Sequence, residues 1–213
     1  IMAEKTAAIF LDRDGVINEN RSDHVKSWEE FQFIPGAIEA IAELTKTGLP
    51  IFVVTNQGII SKGGLTVETL NAIHARMLEQ IEAGGGSVKK VFYCPHHDHD
   101  KCDCRKPAPG MLIQAAEEFD IDTQQSYMVG DAWTDIGAGL AVGARSILLM
   151  TGRGRWNLAS CWNHFDVRFS AAVDLADAVN LIKDSLAGKP MVATFRLMES
   201  FHMALRPELP VMT

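Results

Sequence analysis

Asp12 and Asp14 stand one residue apart, directly after the apolar run 7–11 and directly before Gly15. Side chains at i and i+2 of an extended chain share a face, so the two carboxylates can converge on one point. Two such anions repel unless a cation or a shared proton lies between them. An all-oxygen ligand set favours Mg2+ over zinc or copper. Asp-x-Asp-Gly also occurs in turns and calcium loops, but no run of further oxygen ligands follows Gly15. Thr55, Lys106 and Asp131, with Asp135 four residues on, complete the set. Together they offer a nucleophilic carboxylate, an acid-base carboxylate, a hydroxyl, a fixed ammonium and a third carboxylate for a metal. Phosphoryl transfer needs such parts, because positioning and charge neutralisation carry most of its catalysis. Aspartate is also a competent nucleophile toward phosphorus.

A second cluster has a different chemistry. Cys94, Cys102 and Cys104 fall within eleven residues, alongside His96, His97 and His99. This density suits a structural zinc site with a closed tetrahedral Cys3His ligand set. Ligand spacing leaves the choice among the three histidines open. Cys161 stands apart as a structural or incidental thiol. His24 and His74 are isolated, and are expected to be solvated or satisfied in the core. The glycines 137, 139 and 143 do not make a dinucleotide fingerprint, because they follow Asp135 inside a helical stretch. Close helix packing explains them better.

These groups need elements that carry them to one place. Residues 9–11 read as a buried strand with no polar face, ending at Asp12. Residues 51–54 form a second, ending at Thr55. Further strands are expected over 88–93, 126–129 and 146–150. Helices are expected over 37–46, 67–82 (with Thr66 as cap), 110–119, 133–141 and 171–186. The stripe Leu70, Ile73, Met77 and Ile81 reads as core. The polar stretch 16–33 reads as a loop over the strand edge, pinned by Trp28, Phe31 and Phe33. Strand and helix alternate, which predicts an α/β fold with a mainly parallel, doubly wound sheet. In such a sheet ligands bind at the carboxyl ends of the strands, and there Asp12, Asp14, Thr55 and Asp131 would meet.

The net charge of −7 argues against a nucleic-acid partner. No apolar run approaches the roughly 20 residues that span a bilayer, and the N-terminus lacks a secretory pattern. A cytoplasmic, monomeric protein without membrane or nucleic-acid partners is expected. One domain is expected over 1–187, including the zinc loop 94–104, followed by an extension over 188–213 without a clear period.

The set Asp12-Arg13-Asp14-Gly15-Val16, Val54-Thr55-Asn56-Gln57, Arg105-Lys106-Pro107 and Gly130-Asp131-x-x-x-Asp135 resembles the haloacid dehalogenase-like (HAD) phosphatase superfamily. The block Cys94-x-His96…Cys102-x-Cys104-Arg105-Lys106-Pro107 narrows the resemblance to the D-glycero-D-manno-heptose 1,7-bisphosphate phosphatases and the related histidinol-phosphate phosphatases. It covers about 9–152. The resemblance implies that Asp12 forms an aspartyl-phosphate and that Asp14 acts first as acid, then as base. It implies that Asp12, the Asp14 backbone carbonyl and Asp131 hold Mg2+. Thr55 and Lys106 would bind the transferring phosphoryl group, with Asn56 and Arg105 reaching the substrate beyond it. Asp135 would support Lys106 or the metal shell. Cys94, His96, Cys102 and Cys104 would hold structural Zn2+. Ala132 departs from the lysine many relatives carry after the third motif's aspartate, and Trp133 is bulky for its position. There is no room for a large cap domain, so the site should be open to a small phosphate ester. Its specificity would come from 20–33, 58–65 and the zinc loop. An inactive zinc-stabilised binding protein is the rival reading, and retention of Asp12, Asp14, Thr55, Lys106 and Asp131 argues against it.

Overall fold

The computed structural model describes residues 5–165 and 168–191. Six strands form one fully parallel sheet in the order β3-β2-β1-β4-β5-β6. They are β1 (Ile9–Leu11), β2 (Ile51–Asn56), β3 (Lys90–Cys94), β4 (Tyr127–Gly130), β5 (Arg145–Leu149) and β6 (Ser170–Ala172). The helices are α1 (Ala37–Thr45), α2 (Val67–Ala83), α3 (Gly110–Phe119), α4 (Trp133–Ala141), α5 (Gly154–Phe165) and α6 (Leu175–Leu186). The chain leaves β1 toward β2 and β3 on one side, and later toward β4, β5 and β6 on the other. The direction of winding therefore reverses at β1, and a crevice opens at the carboxyl edge there.

Alternation along the strands divides the core into two faces. Ile9, Leu11, Ile51, Val53, Val129 and Ile147 pack with Ile41, Leu44, Met77 and Ile182 of α1, α2 and α6. Phe10, Phe52, Val54 and Met128 pack with Met111, Leu112 and Ala138 of α3 and α4. With both faces covered, the central strands need no polar face, which explains the unbroken apolar runs Ile9–Leu11 of β1 and 51–54 of β2. The α2 stripe Leu70, Ile73, Met77 and Ile81 is buried as expected, and Thr66 caps the helix by accepting from the Thr69 N–H. Trp28 stacks on Phe31, and Phe31 meets Phe33 edge to face, holding the 16–33 loop against the core. Gly139 touches β4 and β5 so closely that a Cβ would lie 2.6 Å from Met128 Cβ, in keeping with a packing role.

Several expectations need correction. The third strand is 90–94, not 88–93. The last helix begins at Leu175, not at 171, because Asp174 caps it through the Asp177 N–H and residues 170–172 instead pair with β5. Neither β6 nor α5 was expected. The buried face of α1 is Ala37, Ala40, Ile41 and Leu44. Of the expected C-terminal extension, the part beyond Met191 lies outside the described residues.

Candidate active site

The carboxyl ends of β1, β2 and β4 deliver their polar residues to one point. Asp12 follows β1, Thr55 is the second-to-last residue of β2, and Asp131 follows β4; all three are buried. Gly15 turns the chain back beside them with φ +88, and a Cβ there would lie 2.2 Å from Asp131 Oδ2. Only glycine accommodates both the conformation and the approach.

Lys106, from the loop before α3, lies buried in the centre. Its Nζ is 2.7 Å from Asp12 Oδ1 and 2.6 Å from Asp135 Oδ1, and it donates to the Val54 carbonyl at 2.7 Å. All three ammonium protons are thereby used. Asn56 fixes the Lys106 backbone from both sides, accepting from its N–H and donating to its carbonyl at 3.0 Å each. The Asn56 amide thus positions Lys106, in addition to facing the cleft. Asp135 Oδ2 accepts from the Ala132 N–H at the start of α4.

Burial governs the ionisation here. Asp12, Asp131 and Asp135 cluster together, with the Lys106 ammonium between Asp12 and Asp135, so negative charge is in excess. Burial pushes Asp12 up to about 6; Lys106 opposes this, and Asp135 and Asp14 reinforce it. Asp131 and Asp135 are likewise raised, chiefly by burial. Burial works against the Lys106 charge, but Asp12 and Asp135 outweigh it and hold its pKa above the ordinary value.

Asp14 has a different environment. Arg13 Nη2 lies 3.0 Å from each of its oxygens, Asn18 donates to Oδ1 at 3.0 Å, and Gln57 donates to Oδ2 at 2.9 Å. Burial pushes its carboxyl up, but the Arg13 guanidinium and these donors win and hold it below the usual range. In this rotamer Asp14 is an anion able to take a proton; giving one to a leaving group requires it to leave the Arg13 fork. Arg13 is itself buried, with Nη1 3.1 Å from His74 Nε2. Burial lowers the His74 pKa to about 3 and Arg13 adds to it, so the ring is neutral and accepts from Arg13. His74 is thus satisfied in the core, as expected.

The donor set fits the metals that the sequence suggests. Single oxygens of Asp12, Asp131 and Asp135 lie within 4.8 Å of one another, and Asp131 Oδ1 is buried without a hydrogen-bond partner. An orphaned buried carboxylate oxygen is costly unless a cation takes it, and all-oxygen sites suit Mg2+. In the second cluster the three sulfurs of Cys94, Cys102 and Cys104 are 3.2–3.6 Å apart, and His96 Nδ1 is 3.2 Å from Cys104 Sγ and 3.5 Å from Cys94 Sγ. These four atoms surround one point, as tetrahedral zinc requires. His97 instead caps the short turn Asp98–Asp100 by accepting from the His99 N–H, and the two rings lie 4.8 Å apart at a tilt of 31°. Arg105 leaves the cluster, donates to the His96 carbonyl at 3.3 Å and pairs with Asp98. Cys161 is buried in α5, its thiol pushed up to about 12 by burial.

A cleft of about 600 Å3 opens above Lys106, with Arg21, His24, Arg105, Trp133 and Arg153 among its walls. Five contributors were not singled out in the sequence. Asn18 and Gln57 hold Asp14, Arg13 pairs with it, Asn20 donates to Asp131 Oδ2 at 3.2 Å, and Arg153 lies beside Asp131. Gln57 alone carries a local signal, since it shares a strand face with Thr55, to which it donates at 3.0 Å.

A parallel sheet with this carboxylate and lysine centre defines the class of HAD-like phosphatases. The family model described as HAD-hydrolase-like matches residues 103–165. A Pseudomonas putida protein named D-glycero-beta-D-manno-heptose-1,7-bisphosphate 7-phosphatase is 45% identical over 150 residues, 70% of this chain and 86% of that protein. The Escherichia coli K12 protein of the same name is 40% identical over 161 residues, 71% and 83% of the two chains. The crystal structure of D,D-heptose 1,7-bisphosphate phosphatase from B. bronchiseptica, complexed with magnesium and phosphate, superposes with a TM-score of 0.80 at 36% identity, covering 84% of this chain and 99% of that one. The chain belongs to the HAD-like phosphatase superfamily, in the heptose 1,7-bisphosphate phosphatase family.

Proposed function

We propose that the protein is a Mg2+-dependent phosphoric monoester hydrolase that removes the 7-phosphate of D-glycero-D-manno-heptose 1,7-bisphosphate. The observation that carries the reading is the convergence of Asp12, Lys106, Asp131 and Asp135 beside Asp14, under an open cleft with cationic walls. The relatives' names supply the sugar.

The chain's own groups account for the steps. Asp12 attacks phosphorus, the bond to the sugar oxygen breaks, and Asp14, protonated and turned off Arg13, gives its proton to that oxygen. This leaves an aspartyl-phosphate and a free alcohol. Asp14 is then a carboxylate. It takes a proton from water as the water oxygen attacks phosphorus and the bond to Asp12 breaks, releasing phosphate. Lys106 neutralises charge on the phosphoryl oxygens, and the Thr55 hydroxyl supports them. Asp12, Asp131 and the Asp14 carbonyl would hold Mg2+, which supplies charge neutralisation at the phosphoryl group when bound. Arg105 would contact the substrate beyond that group. Cys94, His96, Cys102 and Cys104 would hold Zn2+, ordering the loop that leads into Arg105 and Lys106.

Among the described residues no helix is long and apolar enough to cross a membrane. Clustered thiols placed as metal ligands favour a reducing compartment, in keeping with a cytoplasmic location. Phosphate release with Mg2+, measured as kcat/KM for heptose 1,7-bisphosphate and for histidinol phosphate, tests the reading. Preference for the bisphosphate supports it; preference for histidinol phosphate replaces the substrate; no turnover of either by the wild type refutes the proposed activity.

A further inference from the structure

Arg153 occupies the loop between β5 and α5, and the mechanism above does not use it. This loop is tied to the catalytic loops at two points. Thr151 Oγ1 donates to the Gly15 carbonyl at 2.6 Å. Gly152 has φ +52, and a Cβ on it would lie 2.3 Å from Asp131 Oδ2 and 2.6 Å from Gly15 Cα. The backbone is therefore pressed against the Asp131 carboxylate, and the Arg153 N–H donates to Asp131 Oδ2 at 2.7 Å.

The guanidinium has a looser place. Its Nε is 3.6 Å from Asp131 Oδ2, an ion pair too long for a hydrogen bond. The side chain is 57% exposed and lines the cleft. The contact that secures the loop thus belongs to the Arg153 backbone, and the charged end is surplus to the fold. The neighbouring wall has no cation of its own, since Ala132, Trp133 and Thr134 follow Asp131. Burial works against the Arg153 charge, but Asp131, Asp12 and Asp135 outweigh it, so the guanidinium feels the field of the whole carboxylate cluster.

We propose that Arg153 is a phosphoryl-binding residue, its guanidinium moving from Asp131 to an oxygen of the phosphate in the cleft. The inference rests on the phosphatase reading. A divalent cation on Asp131 would remove the pull that holds the guanidinium there, leaving the phosphate dianion as the nearest unpaired negative charge. Arginine suits the task because its planar fork matches phosphate and its charge does not titrate. In a chain of net charge −7 it also gives an incoming dianion a local attraction.

The test uses inorganic phosphate as the probe, with saturating Mg2+, titrated calorimetrically into wild type, Arg153→Ala and Arg153→Lys. The expected result is an Arg153→Ala protein that melts like wild type and binds phosphate about 10- to 100-fold more weakly, the range for one lost charge-assisted contact. Arg153→Lys should recover part of that loss. kcat/KM should fall by a similar factor on every phosphoester tried, because the contact is to the group all esters share. Mg2+ titrated without phosphate should bind Arg153→Ala at least as tightly as wild type, since a competing cation has gone. Wild-type phosphate affinity in Arg153→Ala overturns the proposal, and so does a loss confined to one ester or a weakened Mg2+ affinity. A wild type that neither binds phosphate nor releases it from any ester refutes the phosphatase reading instead.

Discussion

Lys106 Nζ lies 2.7 Å from Asp12 Oδ1 and bridges to Asp135 on its other side, so one ammonium balances two carboxylates that are otherwise shut from water. Removing that charge strands like charges in low dielectric. Lys106→Met should therefore lose about 3–5 kcal/mol of stability by urea denaturation, the usual cost of breaking a buried pair. Adding Asp135→Asn should return part of the stability and none of the phosphatase activity. A single variant as stable as wild type would show that the carboxylates hold protons instead of Lys106.

Asp14→Asn separates the two halves of the reaction. An alkyl phosphate needs an acid for its leaving oxygen, so its turnover should fall about 10^2- to 10^4-fold. p-Nitrophenol leaves without help, so that ester should still give a burst of product and then stall, because no base activates water. Mass spectrometry should find the phosphoryl group on Asp12 after the burst. An unmodified protein would contradict the assigned roles.

The zinc cluster should matter to activity without touching phosphate. Metal analysis should find about one zinc per chain. Cys104→Ser should lose it, melt at a lower temperature and turn over substrate more slowly, because Arg105 and Lys106 follow Cys104 directly. A folded, zinc-free wild type with full activity would refute the structural assignment.

His74 sets a sign for acid stability. It stays neutral in the folded protein down to about pH 3, whereas an unfolded histidine takes up its proton near pH 6.5. The unfolded state thus binds more protons across that window, and stability falls as pH drops through it. His74→Gln keeps an acceptor for Arg13 and does not titrate. Its loss of stability between pH 7 and 4.5 should be about 2.5 kcal/mol smaller than that of wild type, measured by urea denaturation at each pH. Parallel curves would show that His74 is charged in the fold.

Much of this site is legible from the chain alone. Apolar runs with no polar face demanded a sheet covered on both sides, and Asp12, Thr55 and Asp131 stand where those runs stop. Cys94, His96, Cys102 and Cys104 lie close enough in sequence for their chemistry to be read as one cluster. Such signals are local, and local periodicity and spacing survive in a linear string. β6 escaped because three edge residues are too few to establish a period, and its neighbour Asp174 was absorbed into the helix it caps.

What only tertiary structure decided is how the carboxylates differ. Asp12 and Asp14 are near-equivalent in sequence, yet one is pushed up by burial and the other held down by Arg13, Asn18 and Gln57. The partners that make the difference come from separate parts of the chain: Lys106 and Asp135 beside Asp12, and Gln57 and Arg13, the latter backed by His74 of α2, on Asp14. Ionisation depends on desolvation and on charges a few ångströms away, and neither quantity exists until the chain has closed around the site.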